Sequence, residues 1–288
     1  MTVEFRRPVE GTPVPGTQDD PDFATVAASL PRPRDAFSAV LSHGALPRDA
    51  LRLASPDGAL VDAWLLAEAG AEAGADHKVG AAYLLGRVAF ALCEVLAALA
   101  LRGMGPGDLS PDGVALVARR ATWSLDGESG EGRAYDVVLS EPRLVSRDDA
   151  TAALGPAIPV LLTPLVEALT ARSGLSRGAL WRIVGDSFAG ALLLQGKHDE
   201  REDEAMALAL ATLRDRGSPL FARQTGFCRV DLPERPDIGD WFRARGGCCR
   251  YYTTEGGDYC STCVLRDPDS RDEMLRAYLR RRHGLPAA

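Results

Sequence analysis

Four of the six cysteines fall within one short stretch near the C-terminus, Gly246 to Cys263, which reads GGCCRYYTTEGGDYCSTC. Their spacing is CCx10Cx2C, and the four positions are Cys248, Cys249, Cys260 and Cys263. A CxxC pair is a natural two-thiolate chelate, and soft thiolates bind zinc or the iron of an iron–sulfur cluster. The stretch therefore predicts a site for a metal ion or a cluster.

The adjacent pair Cys248-Cys249 bears on which metal is bound. In a zinc ribbon the second half is normally also a CxxC, so a CC pair is unusual there. Neighbouring side chains diverge in extended backbone, and both bind one small centre only if the chain turns, which Gly246-Gly247 permit. A two-iron cluster is larger and tolerates more spread. The spacing favours an iron–sulfur cluster and leaves a zinc site and structural or redox thiols as alternatives.

The composition limits the class of protein. In 288 residues, 46% hydrophobic content supplies a substantial core. A net charge of −7 and a pI near 5.2 argue against a nucleic-acid binder, which needs a basic face. The N-terminal stretch has no continuous apolar run after its basic residues and is rich in Pro, Gly and Thr, so we predict a disordered leader over residues 1–33 and no signal peptide.

The absence of a secretory signal predicts a cytoplasmic protein, and in a reducing compartment closely spaced cysteines are more often ligands than disulfides. The apolar run Val79 to Leu101 contains Arg87 and Glu94, which are costly in lipid, so it predicts a core helix and at most a peripheral association with membranes. The remaining cysteines, Cys93 and Cys228, are interpreted as packing residues.

Hydrophobic periodicity and helix-stop residues predict most of the elements. Helices are expected to begin near Asp35 and to cover the ranges 57–72, 79–102, 164–172, 177–195 and 199–216, with a last one opened by a Ser270/Glu273 capping box. Pro159 and Pro164 are expected to confine one helix to residues 164–172. Gly196 is expected to end the helix at 177–195. Alternating residues from Gly113 around the turn-like DGESGEG predict a β-hairpin, and 227–232 predicts a short strand.

The predicted fold is α+β and mostly α, with helices packed around a small antiparallel β-sheet or hairpin. The cysteine loop is expected between the last strand and the last helix. The predicted domains are the leader, a helical domain with the hairpin over residues 34–239, and a cluster-binding segment over residues 240–288.

The run CCRYYTTEGGDYCSTCVL resembles the C-terminal motif of the FhuF-like ferric siderophore reductases, in which CC, a Tyr-Tyr pair, a GG turn and CxxC occur in this order and spacing. Upstream, LSRGALWRIVGDSFAGALL and GPGDLSPDGVALV are similar to further segments of that family, so the resemblance spans roughly Val79 to Leu265. The family usually has a proline after the last cysteine, where this chain has Val264.

The resemblance implies a [2Fe-2S] cluster on Cys248, Cys249, Cys260 and Cys263, and one-electron reduction of a ferric siderophore of the hydroxamate type. Such a reaction releases Fe(II) in the cytosol, because hard hydroxamate oxygens hold Fe(III) far more tightly than Fe(II). No GxGxxG follows a strand and no flavin fingerprint is present. The electron is therefore expected from a separate donor such as a ferredoxin or flavodoxin.

Residues 240–288 contain nine arginines against seven acids, so the cysteine end is positive relative to the chain as a whole. We hypothesise that Arg243, Arg245, Arg250 and the run Arg280–Arg282 dock an acidic donor. A solvated helix face explains the last run equally well.

Two other functions compete with the reductase. A zinc-stabilised module that binds a siderophore or serves as a scaffold, without redox chemistry, would be colourless and hold one zinc. A redox sensor that uses a cluster as its switch ranks last, because no DNA-binding segment is recognised in the chain.

Overall fold

Six α-helices and three small sheets make up the described part of the chain. The structure is a computed structural model, and it describes Phe23, Thr25, Val26, Leu30 and the ranges 37–106, 110–125, 128–140, 144–146 and 148–286. The helices are α1 (Gly58–Ala69), α2 (His77–Ala100), α3 (Ala150–Ser173), α4 (Arg177–His198), α5 (Glu202–Arg214) and α6 (Pro268–Arg282). The strands are β1 (Leu41–His43), β2 (Leu51–Arg52), β3 (Met104–Pro106), β4 (Val114–Leu125), β5 (Glu128–Leu139), β6 (Leu144–Ser146), β7 (Gly226–Leu232) and β8 (Arg235–Ala244). The predicted fold class is confirmed.

Helix α2 is the centre of the core and packs against α1, α3, α4 and β5. By length and composition α2 and α3 are both apolar enough to cross a membrane, but 78% of the apolar window of α2 is buried inside the protein. The charges within α2 have partners: Arg87 pairs with Glu68 at 2.9 Å, and Glu94 accepts a hydrogen bond from the Ala39 amide at 3.0 Å. The predicted core helix is confirmed.

Helix α3 runs through three prolines, so the prediction that prolines confine it to residues 164–172 is wrong. An interior proline costs about 3 kcal/mol. Against this, the helix buries an apolar face whose members each contribute about 1.5–3 kcal/mol; they are Leu154, Ile158, Leu161, Leu162, Leu165, Val166 and Leu169. Burial of this long face in the core outweighs the local preference.

Helix α4 begins where predicted, with the Ser176 hydroxyl accepting a hydrogen bond from the Ala179 amide at 3.2 Å. It does not end at Gly196, which was expected as a stop. A Cβ at Gly196 would lie 2.6 Å from the Cβ of Ala205, so this glycine lets α5 approach α4 closely. A Cβ at Gly190 would lie 2.6 Å from Nη1 of Arg243, so this glycine leaves room for the side chain of a β8 residue.

The predicted hairpin is present as β4 and β5, which form the four-stranded sheet β1-β5-β4-β2. Strand β1 pairs with β5 in parallel. The prediction of a helix that begins near Asp35 is wrong for the described residues, because residues 37–43 form a turn and β1. A strand edge was open beside β5, and pairing with it overrides the weak helical pattern of this short segment.

A second antiparallel hairpin, β7 and β8, carries the cysteine loop. Strand β7 was predicted, but β8 was not, because its first residues belong to the proline-rich stretch PERPD; Pro233 and Glu234 form the turn of the hairpin, and β8 begins at Arg235. Helix α6 packs on this hairpin through a small separate core that consists of Val230, Leu232, Ile238, Leu275 and Leu279. It begins at Pro268, and its N-cap is Asp267, three residues before the predicted cap Ser270.

Two observations concern the predicted boundary at residue 240 and the predicted leader. The limit between residues 239 and 240 falls inside β8. Most of the predicted leader lies outside the described residues, but Phe23 and Val26 belong to the main core and Leu30 packs against it.

Candidate functional site

The four clustered cysteines lie in the loop that connects β8 to α6. The sequence predicted this position of the loop, between the last strand and the last helix. This loop contains one short 3₁₀ turn, Tyr251–Thr253, and is otherwise irregular. An irregular loop of this length keeps its shape only if its backbone polar groups find partners. Most of these partners lie within the loop itself, as in the bonds from the Thr254 amide to the Tyr251 carbonyl and from the Cys263 amide to the Cys260 carbonyl, and α4 holds the start of the loop.

Asp186 of α4 holds the start of the cysteine loop. Its carboxylate is 1% exposed. One oxygen accepts from the Thr225 hydroxyl and the Gly246 amide, both at 2.8 Å. The other accepts from the Gly247 amide at 3.0 Å and from Nε of Arg245 at 3.1 Å. Four donors satisfy the buried charge, so the loop is fixed to the helix directly before Cys248.

Gly247 lets the loop touch the backbone of α4. A Cβ there would lie 2.9 Å from the carbonyl carbon of Arg182 and from the amide nitrogen of Ile183. Real side chains do not approach a backbone so closely. Gly247 therefore lets the chain directly before Cys248 lie against α4, and Gly246 leaves room for Thr225.

We predict that Gly247→Ala pushes the loop away from α4. The free energy of unfolding should fall by about 1–3 kcal/mol, since overpacking against rigid backbone forces a local shift. Gly178→Ala is the matched control, because Gly178 lies in the first turn of α4 and a Cβ there meets nothing within 4 Å. Urea denaturation of both variants measures the difference, and an equal midpoint for the two would contradict the close contact.

The four sulfurs are brought together by the loop. The Cys260 thiol donates a hydrogen bond to the Cys249 sulfur, and this lowers the pKa of Cys249 and raises that of Cys260. Burial raises the pKa of Cys248, and the nearby sulfurs of Cys249 and Cys263 add to this effect. Cys263 is the most enclosed of the set, at 8% exposed. Each of the four thiols thus interacts with at least one of the others.

Each of the four sulfurs also accepts a hydrogen bond from an N–H group. The Arg250 amide donates to Cys248 at 3.4 Å, and the Leu265 amide donates to Cys263 at 3.5 Å. The Tyr251 amide donates to Cys249. Nη1 of Arg245 lies 3.8 Å from the Cys260 sulfur. Donors of this kind stabilise negative charge on sulfur and tune the potential of iron–sulfur centres.

The arrangement differs from that of a site for one metal ion. Across the residues that the structure describes, no three His, Cys, Asp or Glu side chains converge closely enough to hold a single ion. A zinc site requires four ligands within about 2.3 Å of one point. A [2Fe-2S] cluster takes its four cysteines over two irons, two at each, so its ligands need not surround one point.

A cavity of about 620 Å³ opens beside Cys249. Its walls come from α2, β5, α4 and the end of β8, and Arg243 and Arg245 also line it. Its lining includes aromatic and cationic side chains, namely Tyr83, Arg87, Phe90, Arg133 and Tyr135, together with the acids Glu72, Glu94 and Asp186. The size and the mixture of apolar walls with a few polar groups are those of a small-molecule site.

Two of the arginines expected to dock a donor protein are used inside the molecule. Arg243 donates to the backbone carbonyl of Asp186 at 2.7 Å, and the side chain of Arg245 is 14% exposed and paired with the Asp186 carboxylate. Both side chains thus help to hold the loop, and their part in docking a donor stays a prediction. Arg250 is partly exposed and lies 3.9 Å from Asp76, so its part in docking stays a prediction.

Asp186 was missed by the sequence analysis. The signal was an acid in the middle of an apolar helix, in IVGDSFAG, where a charge has no reason to be unless it has a buried partner. The other cysteines lie away from the loop: Cys93 is buried in α2, and Cys228 is half-buried in β7 opposite Phe242.

One known family matches the segment that contains the four clustered cysteines. Residues 245–265, which include all four cysteines, match the family model described as the FhuF 2Fe-2S C-terminal domain. The resemblance found in the sequence is thereby confirmed for this segment, and for the part upstream of residue 245 it stays a prediction. Neither the curated proteins nor the solved structures gave a significant match to the chain.

Proposed function

We propose that the segment matching the FhuF 2Fe-2S C-terminal domain binds a [2Fe-2S] cluster through Cys248, Cys249, Cys260 and Cys263, and that the protein reduces ferric siderophores. The observation that carries the proposal is the meeting of two features at Cys249: it belongs to the set of mutually close thiols, and it lines the 620 Å³ cavity. A chelate in that cavity would lie next to a ligand of the cluster.

The cluster would supply one-electron chemistry, since its irons exchange a single electron. The chain's own residues supply its environment. The amides of Arg250, Tyr251 and Leu265 and the Arg245 guanidinium stabilise negative charge on the four sulfurs. Asp186 in turn keeps Arg245 in place. These groups are fixed before the electron arrives, so little reorganisation accompanies its arrival.

The cavity suits a hydroxamate chelate. Hydroxamate oxygens carry negative charge, and Arg133 and the hydroxyl of Tyr83 line the cavity as donors. Burial is the main reason that the pKa of Tyr83 is well above its usual value, so this hydroxyl stays protonated and able to donate. Phe37 and Phe90 offer apolar walls to the carbon backbone of a siderophore.

The reaction is the transfer of one electron to Fe(III), which becomes Fe(II), while the donor that supplied the electron is oxidised. No covalent bond of the siderophore is broken. Hard oxygen ligands bind Fe(II) far more weakly than Fe(III), so the metal leaves and the chelator is recovered intact. We place this reaction in the cytoplasm, where the thiols stay reduced and small electron carriers are present.

A zinc-stabilised module remains the contrasting hypothesis. The spacing of the cysteines speaks against it, since a zinc ribbon normally has a second CxxC where this chain has the pair Cys248-Cys249.

The test is the visible spectrum and metal content of protein purified without oxygen. We expect a red-brown protein with iron and acid-labile sulfide in equal amounts, bleached by dithionite. The reduced protein should then release Fe(II) from a ferric hydroxamate, as followed with a colorimetric Fe(II) chelator. A colourless protein with one zinc per chain, or a reduced cluster that is not reoxidised by the ferric chelate, would reverse the proposal.

A further inference from the structure

A second cavity, of about 740 Å³, lies on the other side of Arg243. Phe90, Leu194 and Arg243 line both cavities and separate them. The floor of the second cavity includes Ser261 and Thr262, the two residues inside the CxxC turn. This groove therefore reaches the cysteine loop by a route that leaves the cavity at Cys249 free.

The groove is positively charged, in contrast to the chain as a whole. Its cationic lining residues are Lys197, Arg243, Arg281 and Arg282, and its acid is Asp240. Lys197 and Arg282 share that one carboxylate, at 2.6 and 2.9 Å. Arg281 is exposed, and no ion pair of its side chain occurs within the described part of the chain. An excess of positive charge thus surrounds the groove on a protein of net charge −7.

The rim of the groove is also apolar. Tyr278 is 44% exposed and Met274 is 39% exposed, and both line it. On the cysteine loop, Tyr252, Tyr259 and Leu265 are exposed as well, although they do not line the groove. Most of the large hydrophobic side chains that are exposed in the described residues belong to this C-terminal region. Exposed apolar residues rimmed by charge are typical of a protein interaction site.

We infer that the groove between β8 and α6 is the docking site of an acidic one-electron carrier protein. This inference rests on the proposed function, which needs an external donor. Carboxylates of the donor would pair with Arg281 and Arg282, and its apolar rim would cover Tyr278 and Met274. The donor gives up one electron to the cysteine-bound centre and is oxidised, and no bond is made or broken in the docked complex.

The groove suits a donor protein better than the ferric chelate for a reason of access. Ser261 and Thr262 are loop residues between two ligands, so a protein seated on them approaches the centre without entering the cavity beside Cys249. Donor and chelate then occupy separate sites and do not compete.

The test is direct binding of an acidic [2Fe-2S] ferredoxin to the full-length protein, measured by calorimetry at low and high salt. For Arg281→Glu we expect the Kd to rise by roughly tenfold at low salt, and we expect the difference to shrink at high salt. Tyr278→Ala should raise the Kd with little change in its salt dependence. The matched control is Arg48→Glu, which makes the same charge change at an exposed residue that lines neither cavity.

Because binding is the readout, failure of this inference is distinguishable from failure of the proposed function. An equal effect of Arg281→Glu and Arg48→Glu, or binding insensitive to salt, would overturn the docking site even if the cluster is present. With dithionite as the electron source, Arg281→Glu should leave the reduction of the chelate unchanged. A raised KM for the chelate in that assay would assign the groove to the siderophore and overturn the inference, as would a dimer that Arg281→Glu dissociates.

Discussion

Replacing Cys260 by serine is expected to remove the cluster. The Cys260 thiol donates a hydrogen bond to the Cys249 sulfur, and its own sulfur lies 3.8 Å from Nη1 of Arg245, so it interacts with two neighbours in the loop. Serine is a harder ligand that is protonated at neutral pH, so it binds cluster iron less well than a thiolate does. Iron and sulfide content, and the rate of Fe(II) release from a ferric hydroxamate, should fall to less than about a tenth of the wild-type values.

The control for this variant is Cys228→Ser. Cys228 is half-buried in β7 and packs against the small core under α6, away from the four clustered thiols. The same atom change there should leave the visible spectrum and turnover intact. Far-UV circular dichroism should be unchanged in both variants, because most of the helices belong to the main core. Turnover at the wild-type rate in Cys260→Ser would disprove the mechanism. Loss of the cluster in Cys228→Ser would show that the set of four ligands has been assigned incorrectly.

Replacing Asp186 by asparagine should cost about 3–5 kcal/mol in the free energy of unfolding, the range for removing one partner of a buried ion pair. The side chain of Asp186 is 2% exposed, and its loss leaves the Arg245 guanidinium unpaired in a mostly buried place. An amide also has only one acceptor oxygen for the four donors that now share a carboxylate. The loop should loosen, and the cluster should be lost faster to an added iron chelator.

Asp231→Asn provides a closely matched control. Asp231 accepts a hydrogen bond from Nε of Arg229 at 3.0 Å, close to the 3.1 Å between Asp186 and Arg245. The side chains of Asp231 and Arg229 are, however, both about half exposed. Exposed pairs contribute about 0–1 kcal/mol, so the urea midpoint should hardly move. If Asp186→Asn and Asp231→Asn shifted the midpoint equally, the carboxylate of Asp186 would not be what fixes the loop.

Local patterns predicted the helices well where capping and periodicity agreed. The Ser176 cap and the apolar run of α2 are examples, since both depend on neighbours within a few residues. The prediction failed for α3, β1 and β8. In each case a partner distant in sequence decided the conformation: the core that covers the apolar face of α3, the free edge of β5, and the strand β7.

The arginines show the same limit. A count of charges in residues 240–288 predicted a positive surface, and it treated the arginines alike. Folding separates them, because Arg243 and Arg245 satisfy the carbonyl and the carboxylate of Asp186 whereas Arg281 is exposed. Only contacts between elements distinguish an arginine that holds a loop from one that is free to meet a partner.

By itself the sequence determined the chemistry of this protein at the level of ligand type. Sixteen residues contain all four thiols, so chain connectivity alone confines them to one loop, and CCx10Cx2C identifies the motif. The tertiary structure decided what that loop faces. Asp186 lies about sixty residues upstream on another helix, and the walls of both cavities come from elements spread over the chain. Such contacts arise from packing a whole core and have no local signature, so they appear only once the chain is folded.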